Sequence, residues 1–464
     1  MRIPFAIHAY QSDSLRLSAQ QLVNWYAEKM PPDAKARVAV FPTPGLTSFA
    51  SAGTGPIRGT HNFNGTLCVV SGGVFYTVDS AGTATSQGNV TGSAESVSMA
   101  SSATQLMVLS GDTAADAFIW DGTTLAPVTD ADFAASTDVT FIDSYFAFAR
   151  SNSGQWHISD SGDGTSYDAL QFATAEGAPD QLVSIEAEHL EMWLFGQRTT
   201  EVWYNAGTGT PPFSRITNAF IERGLRAKHS VAKDDNSIFW LGDDEVIYRA
   251  EGYVPKRIST HAIEKAMRGY QDTTTATAWS YTRGGHKFYV INFEEATWCF
   301  DISTGLWHTR ESRDTIGNSL GRWRVDYGVK IYGKDLVGDY STGDIYALDH
   351  EVFTENGTVI RRLATSPPIH NEAEWVFMPK LQIEMEVGVG LTTGQGSDPQ
   401  IMLRWSDDGG NTWSNEKWRN LGKKGEYKNR VRWTKLGKTR ERIFELSITD
   451  PVYASIIAAD LGAR

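Results

Sequence analysis

The stretch LEMWLFGQRTTEVWYNAG, residues 190–207, holds a short apolar strand pattern, a turn, a second strand carrying an aromatic residue, and a closing turn at Gly207. The same unit recurs as TLCVVSGGVFYTVDSAG (66–82), SIFWLGDDEVIYRAEG (237–252) and KFYVINFEEATWCFDISTG (287–305). Aligned on the second-strand aromatic, the phase runs Tyr76, Trp120, Trp156, Trp203, Tyr248, Trp298 and Tyr346, in steps of 44, 36, 47, 45, 50 and 48 residues. Steps of that size match one propeller blade each. The expectation is an all-β chain, a β-propeller of six or seven blades followed by a C-terminal β-sandwich-like domain. Unrelated hairpins stacked as two sandwiches give similar spacing by chance, but six successive steps in so narrow a range favour the propeller.

The composition sets further bounds. At 464 residues the chain exceeds one ordinary core, so several domains or repeated units are expected. A net charge of -13 and a pI near 5.3 argue against a surface that holds nucleic acid everywhere by neutralising phosphates, although a local basic patch stays open. Cys68 and Cys299 are too few and too far apart for a disulfide framework or a zinc site, and read as core thiols of a chain folded in a reducing compartment. The N-terminus lacks a charged stretch followed by an apolar run, and no segment reaches the roughly 18 apolar residues of a membrane span. An unexported chain without a membrane partner is expected.

Two segments interrupt the β pattern. In residues 18–30, Ser18 and Gln21 have the spacing of a capping box, although the segment is equally compatible with extended chain. In STHAIEKAMRGY (259–270), Ile263, Ala266, Met267 and Tyr270 share one stripe, which predicts a short helix between blades, packed on the propeller. Beyond about Asp349 strands lengthen and charge increases. The expected division is an N-terminal arm (1–50), the propeller (51–350) and a C-terminal β domain (351–464).

LRWSDDGGNTW (403–413) contains an intact Asp-box, Ser406, Asp408, Gly410, Thr412 and Trp413, a motif known from sialidases. Its physics is that of a turn: the Ser and Asp side chains accept backbone N–H groups, Gly410 permits positive φ, and Trp413 is expected to pack inward. A glycan-cleaving propeller needs more, namely several boxes, an arginine cluster and a Tyr/Glu nucleophile pair, which the sequence does not assemble. Gly317-x-Ser319-x-Gly321 imitates a nucleophile elbow but lies among strand patterns, and Gly328-x-x-x-x-Gly333-Lys334 imitates a phosphate loop but has Asp335 where Ser or Thr is required. No histidine pair or Cys-x-x-Cys has metal-ligand spacing. No catalytic residue, metal or cofactor is expected. The strongest charge feature, residues 416–445, carries eleven cations against four acids, a net of +7 within an acidic chain. Lys417, Arg419, Lys423, Lys424, Lys428, Arg430, Arg432, Lys435, Arg440 and Arg442 form the candidate assembly interface, with Arg430 and Arg432 on one strand face and Val431 and Trp433 on the other.

Four segments, LVNWYAEKMPPDAKARVAVFPTPGLTSF (22–49), GAPDQLVSIEAEHLEMWLFGQRTTEVWY (177–204), AIEKAMRGY (262–270) and VRWTKLGKTRERIFELSITDPV (431–452), together resemble the packaged-DNA stabilisation, or tail hub (nozzle), proteins of short-tailed podovirus-type phages. The resemblance covers the whole chain. It implies a virion tail protein made in the host bacterial cytoplasm: a homo-hexameric ring below the portal and its adaptor ring that closes the channel, retains packaged DNA until ejection, and mounts the tail needle and tailspikes. DNA would pass the channel without specific binding. The alternative class is a glycan-binding or glycan-cleaving, sialidase-like propeller.

Overall fold

The structure is a computed structural model that describes residues 2–5, 7–372 and 374–462. Seven four-stranded antiparallel sheets follow one another as blades: 57–89, 98–127, 136–174, 182–221, 232–257, 277–310, and a seventh whose first three strands lie within 325–349. The fourth strand of the seventh blade comes from the other end of the chain, since Gly45–Ser51 pairs antiparallel with Asp344–Asp349. The inner strand of blade 7 also packs on that of blade 1, which closes the ring.

Each blade is built from a simple local code. Its second strand is buried throughout in Leu106–Leu109 and Ser237–Leu241 and at all but one or two residues in the other blades, because neighbouring blades cover both its faces, and it therefore reads as a nearly continuous apolar run rather than an alternating one. In six blades the first two strands are joined by a two-residue turn with both residues at positive φ, as at Asn64-Gly65 and Tyr332-Gly333, the twist that suits a tight hairpin. The imitation phosphate loop is therefore a hairpin with Gly333 at its tip. The seven aromatics that set the sequence phase all lie on third strands, one per blade.

His261–Met267 forms the short helix between blades 5 and 6. Thr260 caps it by accepting the Ile263 N–H, and Ile263 and Met267 are buried against the core, with Ala266 and Tyr270 half-buried beside them. Residues 18–30 are extended, in three short strands: Ala19–Gln20, Leu22–Val23 and Trp25–Lys29. A helix there is excluded by pairing on both sides, and Asn24 sits at φ +54.

That N-terminal segment joins the two parts of the molecule. Leu22–Val23 pairs in parallel with the last strand of blade 6, Leu306–Arg310, and antiparallel with Arg362–Thr365, so the blade sheet runs on into Glu441–Ile448, Gln400–Ser406 and Lys417–Asn420. Trp25–Lys29 and Val38–Pro42 join Ile456–Gly462, Lys380–Met385 and Val431–Thr434 in a second sheet. One core fills the space between them and reaches back into blades 5 and 6, from Trp433, Leu381 and Phe444 through Trp25 and Leu22 to Phe239 and Tyr289. Asn24 fastens the junction. Its Nδ2 donates to Glu311 O (2.9 Å) in the propeller and Arg361 O (2.8 Å) in the sandwich, while its Oδ1 accepts the Glu311 N–H. Replacing Asn24 with Ala leaves two carbonyls and one N–H without partners at a buried seam, so a loss of about 2–4 kcal/mol is expected. Calorimetry checks this: the variant melts at a lower temperature, and an unchanged transition would show that the seam does not depend on this side chain.

Candidate assembly interface

The Asp-box closes the turn after Gln400–Ser406. Ser406 Oγ accepts the Gly410 N–H (2.8 Å) and donates to Asp408 Oδ1 (2.7 Å), while Asp408 accepts both the N–H (2.9 Å) and the hydroxyl (2.6 Å) of Thr412. These bonds, those from Thr412 first, hold the Asp408 carboxyl down at about 2. Gly410 has φ +95, and its bare Cα faces the Leu15 side chain of the N-terminal segment. Trp413 is half-buried rather than part of the core, with the Arg404 guanidinium 4.8 Å above its ring, itself held by Glu445. The polar groups of the box are engaged with one another, an arrangement that fixes a loop and offers a substrate little.

The basic segment occupies one edge of the sandwich. Lys417–Asn420 ends one sheet and Val431–Thr434 ends the other, and Arg419 and Trp433 bridge them, donating to Arg432 O (2.8 Å) and Lys417 O (2.7 Å). Side chains thus cap carbonyls that a free sheet edge would offer to another strand. Along Val431–Thr434 burial alternates, with Val431 and Trp433 inward and Arg432 outward. Lys417, Arg419, Lys423, Lys424, Lys428, Arg430, Arg432, Lys435 and Arg440 are exposed. Arg442 differs: it is 2% exposed, and its guanidinium makes a two-pronged pair with Asp407 (2.6 and 2.7 Å), tying the Asp-box turn to Glu441–Ile448. It is an internal fastener and offers no charge to a partner. Among the exposed cations stand large aromatics the sequence reading passed over: Trp418 at 52%, Tyr427 at 72%, and Trp375 at 56% with Lys438 and Arg440 stacked on its ring.

A second missed feature is spread over the propeller. Every third strand ends in, or is followed directly by, an acid or Asn one to four residues after its marker aromatic: Asp79, Asp121, Asp160, Asn205, Glu251, Asp301 and Asp349. Five of these side chains cap their turn by accepting backbone N–H groups two to four residues on: Ala81 and Thr83 on Asp79, Thr123 and Thr124 on Asp121, Gly207 on Asn205, Ser303 on Asp301, and Glu351 on Asp349. The signal was present in the aligned repeats, at a position close to the aromatic that set their phase.

At one end of the propeller, connectors of blades 1, 2, 6 and 7, with Lys228 and His229 from the turn before blade 5, line a cavity of about 910 Å³. The arginine on its wall, Arg322, is bonded to Asp326 (2.8 Å), and Tyr327 is bonded to Ser96, so the arginine cluster of a sialidase is not formed there. Among the described residues no three His, Cys, Asp or Glu side chains converge as a metal site, and no helix is long and apolar enough to cross a membrane. Both cysteines are buried, and burial pushes their thiols up to about 12.

A sequence-family model described as Bacteriophage P22 Gp10, beta-propeller, matches residues 1–353, and one described as Bacteriophage P22 Gp10, beta-sandwich, matches residues 361–463. No curated protein sequence matches the chain. Similar solved structures include the WD40 β-propeller domain of Doa1, with 11% identity and a TM-score of 0.42 over 66% of this chain and 98% of that one. The computationally designed Ika8 protein is similar at 13% identity and a TM-score of 0.40, over 71% of this chain and 100% of that one. BamB from Moraxella catarrhalis follows at 10% and 0.39, over 70% and 96%. The fold assignment rests on the strand order and the two family models.

Two outcomes check the local chemistry. Asp408→Asn lowers the melting temperature near neutral pH, and the gap to the native chain closes as pH falls below about 4. The sign follows from the depressed carboxyl, whose contribution is present above the ordinary carboxylate range and lost as it takes up its proton. A gap independent of pH would mean that the charge does not hold the turn. Arg442→Ala, which removes a buried guanidinium bonded to the exposed Asp407 and to Leu436 O, costs about 2–4 kcal/mol in denaturant unfolding, against at most about 0.5 for Lys428→Ala; equal costs would contradict the assignment of Arg442 as a fastener.

Proposed function

The chain belongs to the Bacteriophage P22 Gp10 family, and on that premise we propose that this structural protein of a phage tail is the hub, or nozzle, of a short tail. In this reading six copies form a ring below the portal and adaptor ring, close the channel on the packaged DNA until ejection, and mount the needle and tailspikes. The basic sandwich edge is the assembly surface. DNA passes without specific binding.

The observation that carries the reading is the single core shared by blades 5 and 6, the N-terminal segment and both sandwich sheets. Where two domains meet only through a linker, they move independently by default; a continuous sheet and a common core remove that freedom. A body of this kind suits a part that must hold position against a pressurised genome, and it needs no reaction centre. A net charge of -13 favours a surface that does not cling to a passing polyanion.

Native mass spectrometry of the chain with its portal and adaptor ring tests the proposal. Six copies joining the ring are expected. A chain that ignores the ring and instead retains glycans on an array would contradict it.

A further inference from the structure

The net charge of -13 hides a sharp division. Blades 1 to 3, residues 57–174, contain twelve Asp or Glu, no lysine and two arginines, a net of -10. Neither arginine offsets the surface charge fully. Arg58 is buried and donates to four backbone carbonyls, those of Gly72, Thr91, Glu95 and Ser110, and Arg150 is bonded to Gln155 and stacked on Phe172. The acids, by contrast, face outward: Asp79, Asp121, Asp132, Asp143, Asp160 and Asp168 are all exposed. Beside them on the outer strand of blade 3, Leu170 is 69% exposed.

The opposite charge lies across the molecule. The sandwich is joined to the ring at blades 5, 6 and 7, chiefly through the sheet that continues blade 6, and blades 1 to 3 have apolar clusters of their own. In a seven-bladed ring blades 2 and 3 stand opposite blade 6. One side of the chain therefore presents acids with an exposed leucine, and the other presents cations with exposed aromatics.

From this we infer that the partner of the basic sandwich edge is a second copy of the chain, which offers the acidic flank of its blades 1 to 3. Complementary patches on opposite sides of one molecule meet head to tail, and such a contact repeats from copy to copy until rotation closes it into a ring. Charge brings the copies together and sets their orientation, while Trp418, Tyr427 and Leu170 supply apolar surface to bury. The closure at six rests on the tail-hub reading; the contact between copies rests on the charges alone.

The test is self-association of the full chain at low ionic strength, followed by sedimentation, with two sets of exposed substitutions. One set reverses the edge (Arg419→Glu, Arg430→Glu, Arg432→Glu) and the other the flank (Asp121→Lys, Asp143→Lys, Asp160→Lys). Melting temperatures confirm that each variant is folded. Each set alone is expected to weaken association about 100-fold or more, and the chain carrying both sets to recover most of it, since opposite charges again face each other. Native chain that stays monomeric at low salt, or that associates equally well with the flank reversed, overturns the inference. If edge reversal abolishes attachment to the portal and adaptor ring while flank reversal changes nothing, the edge faces another protein; the tail reading then stands and this contact falls. Charge-dependent association by a chain that ignores the ring gives the converse.

Discussion

The structure depends on a two-residue strand. Leu22–Val23 has both its edges paired, one by blade 6 and the other by the sandwich, and so turns two sheets into one. A strand with two partners leaves no exposed edge at the junction. Asn24 follows at φ +54, a left-handed conformation that Asn tolerates better than most residues, and swings Trp25 into the sandwich core, where its indole donates to Ala454 O. Twenty residues later the same segment supplies the outer strand of blade 7. The N-terminal 50 residues thus close the ring and couple it to the sandwich.

Much of the ring was legible because a blade is a local object. Its strands are consecutive, its hairpins are short, and its central strand must be apolar on both faces, so the aromatic phase from Tyr76 to Tyr346 marked all seven blades. What escaped was non-local. Nothing near Gly45–Ser51 announces a partner nearly 300 residues away, and a strand of two residues such as Leu22–Val23 is too short to carry a period. The capping-box spacing at Ser18 and Gln21 is a weak local preference that long-range pairing overrides. At the sandwich edge, the alternation around Arg432 was readable from sequence, but the burial of Arg442 was not, because it is set by Asp407 on a different strand end.

The charges follow the same logic. Averaged over the chain they say only that the protein is acidic. Placed on the fold, they separate into an acidic flank whose two arginines are held within the blades and a basic edge whose own carbonyls are capped by Arg419 and Trp433. An edge so capped resists uncontrolled strand pairing, while Arg430, Arg432 and the neighbouring lysines stay exposed. Scaffold and surface are therefore separate devices: apolar runs and turn caps build the body, and on the proposed contact charge decides what it meets.

A cryo-electron microscopy reconstruction of the intact tail tests this account most directly. The account predicts six copies, each fitting the density as one body with propeller and sandwich in the orientation found here, and the basic edge of each against blades 1 to 3 of its neighbour. Density in which propeller and sandwich must be moved apart to fit, or in which that edge and that flank both face solvent, would contradict it.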